Sequence, residues 1–315
     1  MSQEELKIEE IKDQPGKVVA ADPNADLRLS YPAYAKINLS LEILGKRPDR
    51  FHNLISVMQT VSLADELHIC PAPDLEFDCN LPELVNENNL VWRAACRLHD
   101  LLPKDGKKGV SVYLEKSIPV AAGLGGGSSD AATTLIALNE FWGLELSEEQ
   151  LVEEAAKLGS DVPFFVRGGT ALAEGRGEIL TPLPSLRRSY VVLLYPEIEL
   201  PANKTATLYR SLERNDFSTG FITQQLVTEI KAGRRPSQAF FHNTFELVAY
   251  ERFPEMDTYR AAMVSAGADY VRVSGSGPTL YTFLEDKEEG REITKRLSEA
   301  GYLVYLAETV ASRLE

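Results

Sequence analysis

Apolar and polar residues alternate along residues 27–45, "LRLSYPAYAKINLSLEILG", and Gly45 closes the run. A period of two predicts strands with one face toward a core. "LISVMQTVSLADELHIC" (54–70) continues the strand-like pattern. The period then changes. Leu90, Val91, Ala94, Ala95, Leu98 and Leu101 fall at helical spacing, with Asn88 or Asn89 as the N-cap. Val110, Val112 and Leu114 alternate again before Pro119. Ala131, Leu135, Leu138 and Trp142 mark one face of a helix that Gly143 ends. Ser147 to Gln150 forms a capping box for another helix, running to about Leu158 and stopping at Gly159.

Further on, "SYVVLLYPEIEL" (189–200) predicts a buried strand, preceded by a candidate interdomain crossing, "PSLRRS". Helices are expected around 204–213, 221–232 and 254–266. "DYVRVSGSGPTLYTFLED" (269–286) reads as strand, tight Gly/Pro turn, strand. A helix up to Gly301 and a last strand, "YLVYLAETV", complete the chain. Helices mixed with hairpin-like strand pairs predict an α+β fold rather than strict alternation.

Composition narrows the options. At 315 residues the chain holds one large domain or two ordinary ones. A formal net charge of −14 argues against a surface that binds nucleic acid broadly, though a small anion site remains compatible with it. Three cysteines, Cys70, Cys79 and Cys96, form no CxxC pair, which fits reduced thiols and a cytoplasmic protein. No run of eighteen apolar residues exists, so no membrane span is expected. The acidic residues 1–26 have neither a signal peptide's apolar stretch nor a transit peptide's arginine bias. They read as a poorly ordered extension or a peripheral element.

The chemistry concentrates in "VAAGLGGGSSDAAT" (120–133). A P-loop needs GxxxxGK followed by Ser or Thr, and no such string occurs; the Rossmann spacing of glycines fails at Ser128. A flexible linker does not fit between a strand and a helix. What remains is a strand, a glycine loop and a helix beginning at Ser128–Asp130. That geometry aims free N–H groups and a helix dipole at one point, a cradle for polyphosphate without a loop lysine. Ser128 and Ser129 add hydroxyls for a phosphate oxygen or a phosphate-bound Mg²⁺. The alternative is that Ser129 or Asp130 only caps the helix and the glycines only permit close packing.

With its flank, "PVAAGLGGGSSDAAT" resembles the second motif of the GHMP kinases. "PAYAKINLSLEILGKRPDRFHNL" resembles their first motif and "RVSGSGPTLYTF" their third, in the expected order. Within that superfamily, "GKRPDRFHNL", "LGSDVPFFVRGGTALAEGRGE" and "SGSGPT" are similar to the 4-diphosphocytidyl-2-C-methyl-D-erythritol kinase family, over about residues 28–310. One departure is Arg50-Phe51 before His52, where that family usually has Gly-Tyr. Another is "LPANKTATLY", about three residues longer than usual.

The resemblance implies a two-domain α+β kinase with its active site in the interdomain cleft. Residues 27–183 would form the ATP-binding and catalytic domain, and 184–315 would complete the substrate site. It implies transfer of the γ-phosphate of ATP, with Mg²⁺, to the 2-hydroxyl of a small molecule carrying a cytidine diphosphate group. Lys36 and Asp161 match the catalytic pair, Asp161 as base or orienter of the hydroxyl. From its residues alone, Asp161 reads equally as an N-cap of the turn containing Pro163.

ATP would be held by Pro119, Val120, Ala121, Ala122, Gly123, Leu124, Gly125, Gly126, Gly127, Ser128 and Ser129, together with Asn89 and Lys116. Ser128 is the candidate beside the metal. The substrate would meet Asn38, Phe51, His52 and Tyr209, together with Ser274, Gly275, Ser276 and Gly277. His52 is placed on the cytosine edge and Tyr209 on its face. The competing expectations are a GHMP kinase for homoserine or mevalonate, against which His52 and the "GSDVPFF" context argue, and a non-catalytic nucleotide sensor. Oligomeric state is not legible in the sequence.

Overall fold

A computed structural model describes residues 28–103, 108–201 and 203–313. The extension expected over residues 1–26 lies outside the described residues. Two long antiparallel strands, β1 (Leu29–Lys46) and β2 (His52–Ala72), form the backbone of the first sheet. Then come β3 (Leu75–Cys79), α1 (Leu90–Leu101), β4 (Gly109–Glu115) and α2 (Gly126–Trp142). After these, α3 (Glu148–Ala156), α4 (Val162–Arg167), β5 (Thr170–Gly175) and β6 (Ile179–Pro182) close the first half.

The second half holds β7 (Tyr190–Leu194), α5 (Lys204–Ser211), α6 (Phe221–Lys231), β8 (His242–Asn243), α7 (Glu246–Arg252) and α8 (Glu255–Ala266). It ends with β9 (Arg272–Val273), β10 (Leu280–Leu284), α9 (Lys287–Glu299) and β11 (Val304–Glu308). Among the described residues no helix is long and apolar enough to cross a membrane.

The first sheet has the order β3-β4-β2-β1-β8, with β5 also paired to β2 and β6 to β5. The second has the order β11-β7-β10-β9. Strand β8 comes from the second half yet pairs in parallel with β1 (Ser40 with His242, Leu41 with Asn243). The cores interleave in the same way. Leu41, Ile43 and Leu54 share a cluster with Val192, Phe245 and Leu280, and Ile37 and Leu39 share one with Leu226 and Tyr281.

Strand β1 is not half-buried, as its alternation predicts. From Ala35 to Ile43 every residue is buried, because the second half covers the face that would otherwise meet water. A bulge between Asn38 and Ser40 also shifts the alternation. Ser40 and Glu42 turn toward α6, where Thr223 Oγ1 lies 3.0 Å from Ser40 Oγ and the Thr223 N–H donates to Glu42 at 2.6 Å. Lys36 and Asn38, with Leu41 beyond the bulge, line the cleft.

Asn89 caps α1, and both bonds of the Ser147–Gln150 capping box are present. Helix α2 starts at Gly126, two residues before the predicted start, and is buried on most sides rather than along one face. Helix α5 ends at Ser211, and α7 escaped the periodic reading altogether.

Candidate active site

Three loops converge on β1. The glycine loop is pinned to it by the Lys36 N–H, which donates to Leu124 O at 2.9 Å. Ala122 and Leu124 bury their side chains in the core, so only their backbone faces outward. The loop after β9 makes a tight turn in which the Gly277 N–H donates to Ser274 O at 2.8 Å. Ser274 Oγ crosses to Gly123 O at 3.0 Å. Asn243 on β8 holds this turn from behind, donating to Val273 O and Gly275 O at 2.7 Å each. The third loop presents Asp161, at the head of α4.

Lys36 sits at the centre. Its ammonium donates to Asn38 Oδ1 at 2.6 Å and to Gly123 O at 3.3 Å, and lies 4.0 Å from Asp161 Oδ2. Burial pushes its pKa down, and the Asp161 charge pulls it back up. The carboxylate of Asp161 makes no capping bond to α4, so the N-cap alternative fails. Lys36, Asn38, Gly123, Gly125, Asp161, Tyr209, Gly275 and Ser276 all border one cavity of about 200 Å³.

The glycine alternatives divide by residue. A Cβ on Gly123, at φ +83, would meet Ser274 O at 2.3 Å, and one on Gly125, at φ +73, would meet the Phe165 ring at 2.6 Å. Those two glycines are demanded by packing. Gly127 has nothing within 4 Å and is exposed. With Gly125 in the N-cap position, the N–H groups of the first turn, from Gly126 on, open the helix.

Several expectations need correction. Neither Ser129 nor Asp130 caps α2. Ser129 is 1% exposed, its N–H donates to Gly125 O at 2.9 Å, and its hydroxyl is buried without a partner. Asn89 spends its amide on capping, accepting from Val91 N at 2.8 Å and donating to Leu84 O at 2.9 Å. The Lys116 ammonium is not free for phosphate either. It is held between Asp65 and Asp130, 2.8 Å from the latter. Asp65 also accepts from the Ser117 and Ile118 N–H groups at 2.6 and 2.8 Å. Burial raises the Asp130 carboxyl well above its ordinary range against the pull of Lys116, with Asp65 adding to the rise.

This triad braces the start of α2, and removing its cation strands two carboxylates. Lys116→Met therefore destabilises the fold by about 3–5 kcal/mol, read as a lower denaturant midpoint at unchanged m-value.

At the far end of the cleft, His52 and Tyr209 stack with ring centroids 4.8 Å apart, and Phe245 meets Tyr209 edge-on at 4.9 Å. One face of Tyr209 is thus occupied by a protein ring. Burial lowers the His52 pKa, with Lys46 adding to it, and its Nε2 is buried without a partner. Burial, then the Asp161 charge, pushes Tyr209 up to about 12. Arg50 adopts φ 70, so the turn keeps a glycine-like backbone although it lacks the glycine. Phe51 is 55% exposed beneath the Arg176 guanidinium, 5.1 Å from the ring centre.

Sequence reading missed Arg176, Thr205, Asn243 and Lys204. Three of them lie in stretches singled out above, Arg176 in "LGSDVPFFVRGGTALAEGRGE" and Lys204 and Thr205 in the unusually long "LPANKTATLY".

Cleft and fold together define a GHMP kinase. The profile described as GHMP kinases N terminal domain matches residues 89–169, and the one described as GHMP kinases C terminal matches 227–303. The chain is 43% identical over 283 residues to a Dehalococcoides mccartyi protein named 4-diphosphocytidyl-2-C-methyl-D-erythritol kinase, covering 90% of this chain and 98% of that one. A Gloeobacter violaceus protein of the same name is 39% identical over 285 residues, covering 88% and 93%.

A crystal structure of 4-(cytidine 5'-diphospho)-2C-methyl-D-erythritol kinase superposes with a TM-score of 0.76 at 32% identity, covering 89% of this chain and 98% of that one. Homoserine kinase from Cytophaga hutchinsonii, at 16% identity and TM-score 0.67 with 94% and 98% covered, shares the fold. The chain belongs to the 4-diphosphocytidyl-2-C-methyl-D-erythritol kinase family.

Proposed function

We propose that the cleft transfers the γ-phosphate of ATP to the 2-hydroxyl of 4-diphosphocytidyl-2-C-methyl-D-erythritol. The observation that carries this reading is the position of Lys36, whose ammonium reaches both the glycine loop and the side of Asp161. Phosphoryl transfer is mainly positioning plus charge neutralisation, and a buried cation between a phosphate cradle and a carboxylate supplies both.

In this reading Asp161 accepts or orients the hydroxyl proton. Lys36 neutralises charge on the transferred group, and Asn38 holds Lys36. The N–H groups from Gly126 to Ser128 hold the phosphates. The loop from Ser274 to Gly277 closes over them. His52, neutral and with a buried free nitrogen, suits the edge of a cytosine.

The divalent ion is proposed to be Mg²⁺, beside Ser128; Asp130 is tied to Lys116 and is not offered as its ligand. Bound there, the ion would neutralise phosphate charge. Residues 27–183 and 184–315 are proposed as the two domains, on the grounds that β7, β9, β10 and β11 form a sheet of their own. A cytoplasmic setting fits three cysteines that are all unpaired.

The test is ADP release, coupled to a reporter enzyme, with the cytidyl alcohol, mevalonate or homoserine as acceptor. Turnover of the cytidyl alcohol alone is expected. Turnover of mevalonate without the cytidyl alcohol overturns the proposal.

A further inference from the structure

Lys204, the first residue of α5, is buried between the two glycine loops. Its ammonium donates to Ala121 O at 2.9 Å and to Gly277 O. A lysine has three N–H donors, so one is left over. The other buried ammonium groups discussed above each face an acid: Lys36 faces Asp161, and Lys116 faces Asp65 and Asp130. Lys204 has no carboxylate within ion-pair distance among the described residues. The charged group that bears on it is a second cation, Lys36 on β1.

A buried cation without a counter-anion is costly, and the charge of a second cation adds to the cost. Burial, then Lys36, presses the Lys204 pKa down to about 8. The residue also borders a cavity of about 410 Å³, together with Val120, Ala121, Gly123, Tyr195 and Ser276. That cavity shares Gly123, Thr205 and Ser276 with the one holding Lys36 and Asp161. The missing partner is therefore an anion that enters from solvent, and the cavity beside the ammonium adjoins the transfer site at those three residues.

We propose that Lys204 is a phosphate-binding residue, its free N–H taking an oxygen of a nucleotide's phosphate chain while Lys36 takes another. Besides binding, it ties the loop at Ala121 to the loop at Gly277, so the two loops close around the chain they share. The inference rests on the kinase reading of the cleft. The phosphate belongs either to the donor nucleotide or to the diphosphate of the acceptor, and ADP and CDP separate the two sources.

Calorimetric binding of ADP and of CDP is measured on the full chain, with Lys204→Gln and Lys204→Arg. The Gln variant keeps a donor for the loop carbonyls and loses the charge. At pH 7 it binds one of the two nucleotides at least about tenfold more weakly than the wild type. Loss for ADP assigns the donor phosphates, and loss for CDP the acceptor diphosphate. Wild-type affinity for that nucleotide also falls as pH rises through about 8, where Lys204 loses its proton. Lys36 is the charged group facing it and Tyr195 the other titratable group lining the cavity, and both are retained in the variants. Lys204→Arg, which does not titrate in this range, binds with a flatter pH response.

Wild-type affinity and pH response for both nucleotides in both variants overturn the proposal and make Lys204 a structural tie. If Lys204→Gln does not fold, an unchanged pH response in Lys204→Arg overturns it alone. A wild-type chain that binds neither nucleotide overturns the kinase reading itself.

Discussion

Asp161→Asn lowers kcat by about 10²–10⁴-fold and leaves ADP affinity near the wild-type value. The expectation follows from what Asp161 does and does not touch. Its carboxylate caps no helix, its side chain is 37% exposed in the cleft, and its nearest cation is Lys36 at 4.0 Å. Asparagine keeps the shape and removes the charge, so the fold has little to lose. The chemistry loses a proton acceptor and the counter-charge of Lys36 together. Steady-state turnover and calorimetry on the same preparation check this. A variant retaining more than about a tenth of the turnover removes Asp161 from the proton path and favours a sensor or a different base.

The second large effect lies in the glycine loop. Gly123→Ala places a methyl 2.3 Å from Ser274 O and 2.8 Å from Gly277 O, at φ +83. Both obstacles are backbone, so the two loops must separate. A displacement of about 1 Å at a transfer site is enough for a loss of about 100-fold in kcat/KM, and the αL strain adds about 1–2 kcal/mol of destabilisation. Gly127→Ala is the contrast. Nothing of the protein lies within 4 Å of the new methyl, and alanine favours the helix by up to about 1 kcal/mol. There the melting temperature rises, while KM for ATP increases if the phosphates occupy the open side. Equal kinetic effects of the two substitutions would contradict the division between packing glycine and ligand glycine.

Much of this architecture was legible in the pattern of residues. The strands, most helices, the Ser147 capping box and the α+β mixture follow from local periodicity, which the chain obeys where one face meets water. The pattern failed where that premise failed. Strand β1 is covered on both faces and bulged after Asn38, so no single alternation describes it.

The site divides in the same manner. Lys36, Asn38, Asp161, Gly123, Gly125 and Gly275 come together around one cavity. Lys116 and Asn89 carry polar groups suited to a ligand, but Asp65, 51 residues from Lys116, and the local backbone of Leu84 and Val91 beside Asn89 claim those groups first. The N-cap pattern announces the partner of Asn89, but no spacing rule announces Asp65 for Lys116. Lys204 is missed for the opposite reason: among the described residues it has carbonyl partners but no counter-anion, which only three-dimensional neighbours can show.

The two residues of β8 have a consequence for how the enzyme comes into being. Because His242 and Asn243 must lie alongside β1 before Asn243 can hold the loop at Gly275, the cleft cannot exist in a half-assembled chain. The first half keeps a core of its own, between Tyr31 and Ala173, but Ile37, Leu41 and Ile43 lean on side chains from beyond residue 190. The active site thus depends on long-range contacts between the two halves. A chain in which β8 has not reached β1 is therefore expected to lack a formed cleft.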